Sequence, residues 1–96
     1  MKIISNKNND CMEVALEGRL DTTTAPELDS FLGASYGDIK ALAIDCKKLE
    51  YISSAGLRVL LTAHKRMNGY LKLTNVCELV MEVFELTGFA DILVIE

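Results

Sequence analysis

The hydrophobic pattern changes period several times along the chain. Lys2-Ile3-Ile4-Ser5 is a short extended stretch, and Asn6-Lys7-Asn8-Asn9-Asp10 behind it has the composition of a turn. From Cys11 to Glu17 the residues alternate, with Met12, Val14 and Leu16 on one side and Glu13 and Glu17 on the other. The two segments predict a hairpin with one wet face. Gly18 to Thr23 reads as a loop. In Thr24-Ala25-Pro26-Glu27 a hydroxyl stands three residues before a carboxylate, the spacing of a capping box, with a proline in the first turn. Leu28, Phe31 and Leu32 continue as a helical stripe, which Gly33 weakens and Gly37 closes.

Ala41-Leu42-Ala43-Ile44-Asp45-Cys46 is nearly all apolar and short, which predicts a central strand covered on both faces. Beyond Lys47 to Ile52 comes Ser53-Ser54-Ala55-Gly56, then Leu57, Leu60, Leu61, His64 and Met67 at helical spacing, with Gly69 as the stop. Tyr70 to Thr74 alternates as a strand. Leu79, Val80, Val83 and Phe84 form a last helical stripe that Gly88 ends, and Ile92 to Ile95 is a terminal strand. The predicted order is β-β-α-β-α-β-α-β, an α/β class with a small mixed, largely parallel sheet and right-handed crossover helices. No linker, repeat or low-complexity stretch interrupts it, so residues 1–96 are expected to form one domain.

Composition narrows the function. The 96 residues carry ten basic and fourteen acidic side chains, a net charge of −4. With no basic run to neutralise phosphates, nucleic-acid binding is not expected. No window nears the roughly 18 apolar residues of a membrane span, and the polar start is unlike a signal peptide, so a cytoplasmic chain is expected. Cys11, Cys46 and Cys77 are odd in number and far apart, which suits reduced thiols buried as small hydrophobes. With His64 alone as a fourth ligand in no recognisable spacing, no metal is expected. The acidity is uneven, since residues 76–96 hold five acidic and no basic side chains. The other seventy-five sum to +1.

The usual catalytic patterns are missing. There is no phosphate cradle followed by lysine, no dinucleotide fingerprint and no nucleophile elbow, and His64 falls on the apolar side of its helix. No enzymatic activity and no cofactor are expected, and nucleotide binding has no loop of suitable composition to support it. Ser53-Ser54-Ala55-Gly56-Leu57 is different, because it joins a strand to a helix start. Unpaired N–H groups and the helix dipole favour negative charge there, so a phosphoserine would be stabilised. Local chemistry alone favours a simpler reading, an N-cap serine contributing about 1 kcal/mol.

At this point the chain resembles the STAS family, named for sulphate transporters and anti-sigma factor antagonists. Gly18-Arg19-Leu20-Asp21-Thr22-Thr23-Thr24-Ala25-Pro26-Glu27-Leu28 is similar to the family's loop between second strand and first helix. Tyr51 to Leu61 is similar to its Asp-Ser-Ser/Thr-Gly-Leu segment, and Val83-Phe84-Glu85-Leu86-Thr87-Gly88-Phe89 to its final helix and turn. The resemblance implies the STAS fold and a bacterial anti-sigma factor antagonist that regulates transcription. It further implies that Ser54 is phosphorylated by an anti-sigma factor that is also a serine kinase. The modified protein then releases that partner, and a PP2C-type phosphatase resets it.

Asp21, Thr22, Ser53, Ser54, Ala55, Gly56 and Arg58 are the implied switch and partner-binding residues. Two positions depart from the pattern: Ser53 stands where the family has aspartate, and Ala55 where it often has Ser or Thr. They leave open a second member of the family, a stand-alone subunit of a lipid-transport ATPase complex. Asp21 is read equally as a carboxylate near Ser54 and as a loop or capping aspartate.

Overall fold

The computed structural model describes residues 1–96. The chain opens with the expected hairpin, β1 (Lys2–Asn8) against β2 (Cys11–Leu20), in register from Lys2 opposite Glu17 to Asn8 opposite Cys11. It continues as α1 (Ala25–Ser35), β3 (Ala41–Ile52), α2 (Ser54–Arg66), β4 (Leu71–Thr74), α3 (Glu78–Thr87) and β5 (Val94–Ile95). The sheet order is β1-β2-β3-β4-β5, and every pair after the hairpin is parallel. Each crossover therefore steps to the next strand in one direction. Right-handed connections of that kind put all their helices on the same face of the sheet.

That topology corrects the expectation for β3, which is covered on one face only. Leu42, Ile44 and Cys46 are buried, while Ala41, Ala43 and Asp45 alternate with them on a half-exposed side. The alanines made the segment read as wholly apolar, yet alanine is tolerated on an open sheet face as readily as in a core. The strand also runs six residues beyond Cys46, to Ile52. Its register with β2 shifts between Ala15 and Glu17 and again between Gly18 and Arg19. Each shift leaves one more residue on β3 than on β2, a bulge. After each bulge the buried position moves by three residues instead of two, from Cys46 to Leu49 and from Leu49 to Ile52. Simple alternation therefore lost the strand at Lys47-Lys48.

The buried side chains form one cluster of 24 residues with no buried charge. Beneath α2 lie Leu57, Leu60, Ala63 and Met67, and beneath α1 lie Leu28 and Leu32. Gly33 does not interrupt α1, which runs on to Ser35 and a short 3-10 turn over Tyr36–Asp38. After α2 the first left-handed residue is Asn68, one before Gly69. His64 is half-buried, and its Nδ1 lies inside without a protein hydrogen-bond partner.

The thiols divide three ways. Cys46 is buried, and burial pushes its pKa up to about 12. Cys77 is half-buried, with its sulfur 3.5 Å from the Leu49 carbonyl oxygen. Cys11 corrects the expectation of burial, because it opens β2 on the uncovered side of the sheet and is exposed.

In α3 only Val80 and Phe84 are fully buried. Leu79 was expected in that stripe but is 55% exposed, and Leu86 is 80% exposed beside Glu78, Glu82 and Glu85. Gly88, at φ +82°, ends the helix in a left-handed conformation that suits glycine. The last strand is shorter than Ile92–Ile95, since Ile92 closes the 3-10 turn Phe89–Asp91. No helix is long and apolar enough to cross a membrane.

Candidate functional site

Parallel strands deliver their following loops to the same end of a sheet, where α/β folds place their sites. Here Leu20 and Ile52, the last residues of β2 and β3, are register partners. The Asp21–Thr24 loop and the Ser53–Ser54 junction therefore emerge side by side. Two contacts lock them together. The Ser53 N–H donates to the Leu20 carbonyl oxygen at 2.9 Å. Gly56, in the first turn of α2, packs against Leu20 and Ile52 so closely that an added Cβ would lie 2.8 Å from Leu20 Cγ and 3.0 Å from the Leu20 oxygen.

The glycine in the motif is thus a packing requirement. Gly56→Ala should cost about 1–3 kcal/mol through overpacking, because the backbone oxygen it meets is fixed in the sheet. Urea unfolding checks this; a loss under about 0.5 kcal/mol, the usual scatter of a surface change, would contradict it.

Ser53 is extended and holds the N-cap position of α2, and its carbonyl accepts the Leu57 N–H at 2.9 Å. Its hydroxyl makes no capping bond; the oxygen is buried with no partner. The simple capping-serine account therefore does not describe Ser53. Ser54 is the first residue of α2 and is exposed. Ala55 is half-buried, Gly56 and Leu57 face inward, and Arg58 projects into solvent. Leu61, expected with Leu57 in the core, is only half-buried. No side chain caps the first turn of α2, and that turn holds no acidic residue. Its N–H groups and dipole favour a negative charge at Ser54.

The neighbouring loop is built differently from the expected capping box. The Thr24 hydroxyl donates to the Arg19 carbonyl at 2.7 Å and accepts the Asp21 N–H at 2.9 Å, so it does not cap α1. No side chain caps α1, and Asp21 folds the preceding loop instead. Its Oδ1 accepts the N–H groups of Thr23 and Thr24 at 3.0 and 3.1 Å. An aspartate that folds onto the backbone two and three residues ahead needs no capping partner at Glu27.

Of its two sequence readings, Asp21 realises the loop one; none of its hydrogen bonds reaches Ser53 or Ser54. The Thr24 N–H foremost, opposed by desolvation and joined by the Thr23 N–H, the Thr24 hydroxyl and Arg19, holds its carboxyl below the ordinary 3.8. A lowered folded-state pKa makes this turn stabilising above that value, and the contribution fades as pH falls through the folded pKa. Thr22 is the exposed tip of the loop.

Arg19 and Tyr51 complete the region, and sequence reasoning gave them no role. They are register partners on β2 and β3. The Arg19 guanidinium lies 4.1 Å from the Tyr51 ring centroid, and its Nε is 3.8 Å from Asp21 Oδ2. A tyrosine and an arginine at the ends of adjacent parallel strands are the only sequence trace of this stack.

Comparison with known proteins places this geometry. The family model described as the STAS domain matches residues 2–96. BtrV of Bordetella bronchiseptica, named as a candidate anti-sigma factor antagonist, is 35% identical over 97 residues, covering 96% of this chain and 83% of BtrV. The anti-sigma-B factor antagonist of Bacillus subtilis is 32% identical over 90 residues, covering 91% of this chain and 83% of that protein. Among solved structures, an anti-sigma factor antagonist from Mycobacterium paratuberculosis superposes with a TM-score of 0.87 at 23% identity, over 98% of this chain and 83% of that one. A buried glycine behind an exposed serine at a helix start, on a sheet of this order and a match across nearly all the residues, make this chain a member of the STAS domain family.

Proposed function

We propose that this chain, acting as one module over residues 1–96, is an anti-sigma factor antagonist controlled by phosphorylation of Ser54. The observation that carries the reading is the placement of Ser54: exposed, first in α2, on a rigid junction whose first turn no side chain caps. The relatives named as anti-sigma factor antagonists support it.

In the unmodified state the chain binds the anti-sigma factor, a serine kinase, and so frees the sigma factor. The kinase then transfers the γ-phosphoryl group of ATP to Ser54. The bond from Ser54 Oγ to phosphorus forms, the bond to ADP breaks, and the hydroxyl proton passes to a base of the kinase. A PP2C-type phosphatase hydrolyses the ester and restores the binding form.

The switch needs no rearrangement of the domain. A phosphate adds roughly −1.5 to −2 charges to a surface that packed against the partner as a neutral hydroxyl. Ser53 in place of aspartate removes a neighbouring carboxylate, so the added charge meets less repulsion within the domain. Incubation with the cognate anti-sigma factor kinase and ATP, followed by mass spectrometry, tests the reading. One phosphate on Ser54, absent in Ser54→Ala, is expected; an unmodified Ser54 overturns it.

A further inference from the structure

Of the chain's three arginines, two are engaged in the fold. Arg19 stacks on Tyr51 and faces Asp21, and Arg66 lies over the Tyr36 ring at 4.7 Å from its centroid. Arg58 is exposed and takes part in no ion pair, side-chain hydrogen bond or ring contact. It stands four residues after Ser54 on α2. Side chains at that spacing are neighbours on a helix, with Cβ atoms roughly 5–6 Å apart. Each Cα–Cβ bond tilts toward the helix N-terminus, so the long side chain at 58 leans back over the turn that holds Ser54.

The surroundings leave this guanidinium free to act. From Ser54 to Arg66, α2 contains no acidic residue that would compete for it. Asp21, the carboxylate of the adjacent loop, is held by Thr23, Thr24 and Arg19.

From this arrangement we infer that Arg58 is the phosphate-binding side chain of the switch: once Ser54 is phosphorylated, the guanidinium folds back onto it as an intrahelical pair. The inference rests on Ser54 being the modified residue. An anion four residues before a cation is the favourable order for a helical pair, and a guanidinium meets phosphate oxygens in a two-pronged fashion. The pairing also explains why release is effective. In the unmodified chain Arg58 is the exposed cation beside the serine, available to an acidic side chain of the partner. Phosphorylation withdraws it at the same moment as it adds negative charge. The switch therefore removes one attraction and installs one repulsion.

The test places phosphoserine at position 54 by co-translational incorporation, so that no kinase is needed, and follows its second ionisation by 31P NMR. Arg58, Arg58→Gln and Arg58→Lys chains are compared, with Asp21 and Arg19 as charged neighbours common to all three. A nearby cation favours the dianion, so the midpoint with Arg58 should lie about half a unit below that of Arg58→Gln. Arg58→Lys should fall between, since an ammonium keeps the charge without the fork, and 1 M salt should shrink the gap. Equal midpoints in the three chains overturn the pairing, even where a kinase modifies Ser54. A lowered midpoint in a chain that the kinase leaves unmodified sustains the pairing and overturns instead the function proposed above.

Discussion

Ser54→Asp is expected to bind the anti-sigma factor kinase at least about 30-fold more weakly than the parent chain, while Ser54→Ala binds as the parent does. A negative charge that the partner protein's surface does not match, and that draws Arg58 away from it, costs on the order of 2–5 kcal/mol, which corresponds to roughly 30-fold to several thousand-fold in affinity. Aspartate carries one charge where phosphate carries nearly two, so its effect marks the lower part of that range. Neither substitution should disturb the fold, because the Ser54 side chain is exposed and makes no hydrogen bond. Calorimetric titration of both variants checks this. Equal affinities for aspartate and alanine would show that negative charge at this position is not the release signal.

The largest effect on stability is expected at Phe84→Ala, about 3–5 kcal/mol. The ten-residue α3 is too short to persist alone in water, so packing must hold it. Only Val80 and Phe84 are fully buried in it, and Phe84 is 0% exposed. Met81 and Val83 are only partly buried against the core, and Glu78, Leu79, Glu82, Glu85 and Leu86 face outward. Truncating the ring would therefore remove the largest buried side chain that fastens α3 to the core. For a domain of this size, whose stability is of order 5–15 kcal/mol, the melting temperature should fall by about 15 °C or more. A fall of under about 5 °C would mean that α3 is anchored elsewhere.

How much of this was legible in the sequence follows from which interactions are local. The hairpin, three helices and the order of elements follow from periodicity and turn residues, which act over a few positions. The full length of β3 did not, because its two bulges depend on pairing with β2 and replace a step of two by a step of three. The open face of the sheet was hidden for a similar reason. Ala41, Ala43 and Cys11 are apolar in composition, but their exposure is set by all the helices lying on one side. Thr24 and Glu27 have capping-box spacing, yet Asp21 had already engaged the backbone amides of Thr23 and Thr24, a competition that spacing does not display.

At the site itself, the serine pair and the glycine stood out as a motif, and their roles emerged only in three dimensions. Gly56 is required by the approach of Leu20 and Ile52, from a strand thirty-odd residues earlier and from the preceding strand end. Ser53 holds the N-cap position of α2, but its hydroxyl is buried and unpartnered. The stack of Arg19 on Tyr51 needed the parallel register of β2 and β3 to become visible.

Displacement in a reconstituted system shows whether an unmodified Ser54 is what lets this chain free a sigma factor. Labelled sigma factor is bound to the anti-sigma factor kinase, and its release is followed as unmodified or phosphoserine-54 chain is added without ATP. Release by the unmodified chain, and its loss with the phosphorylated one at equal concentration, is the predicted result. Equal release by both forms, or none by either, would contradict it.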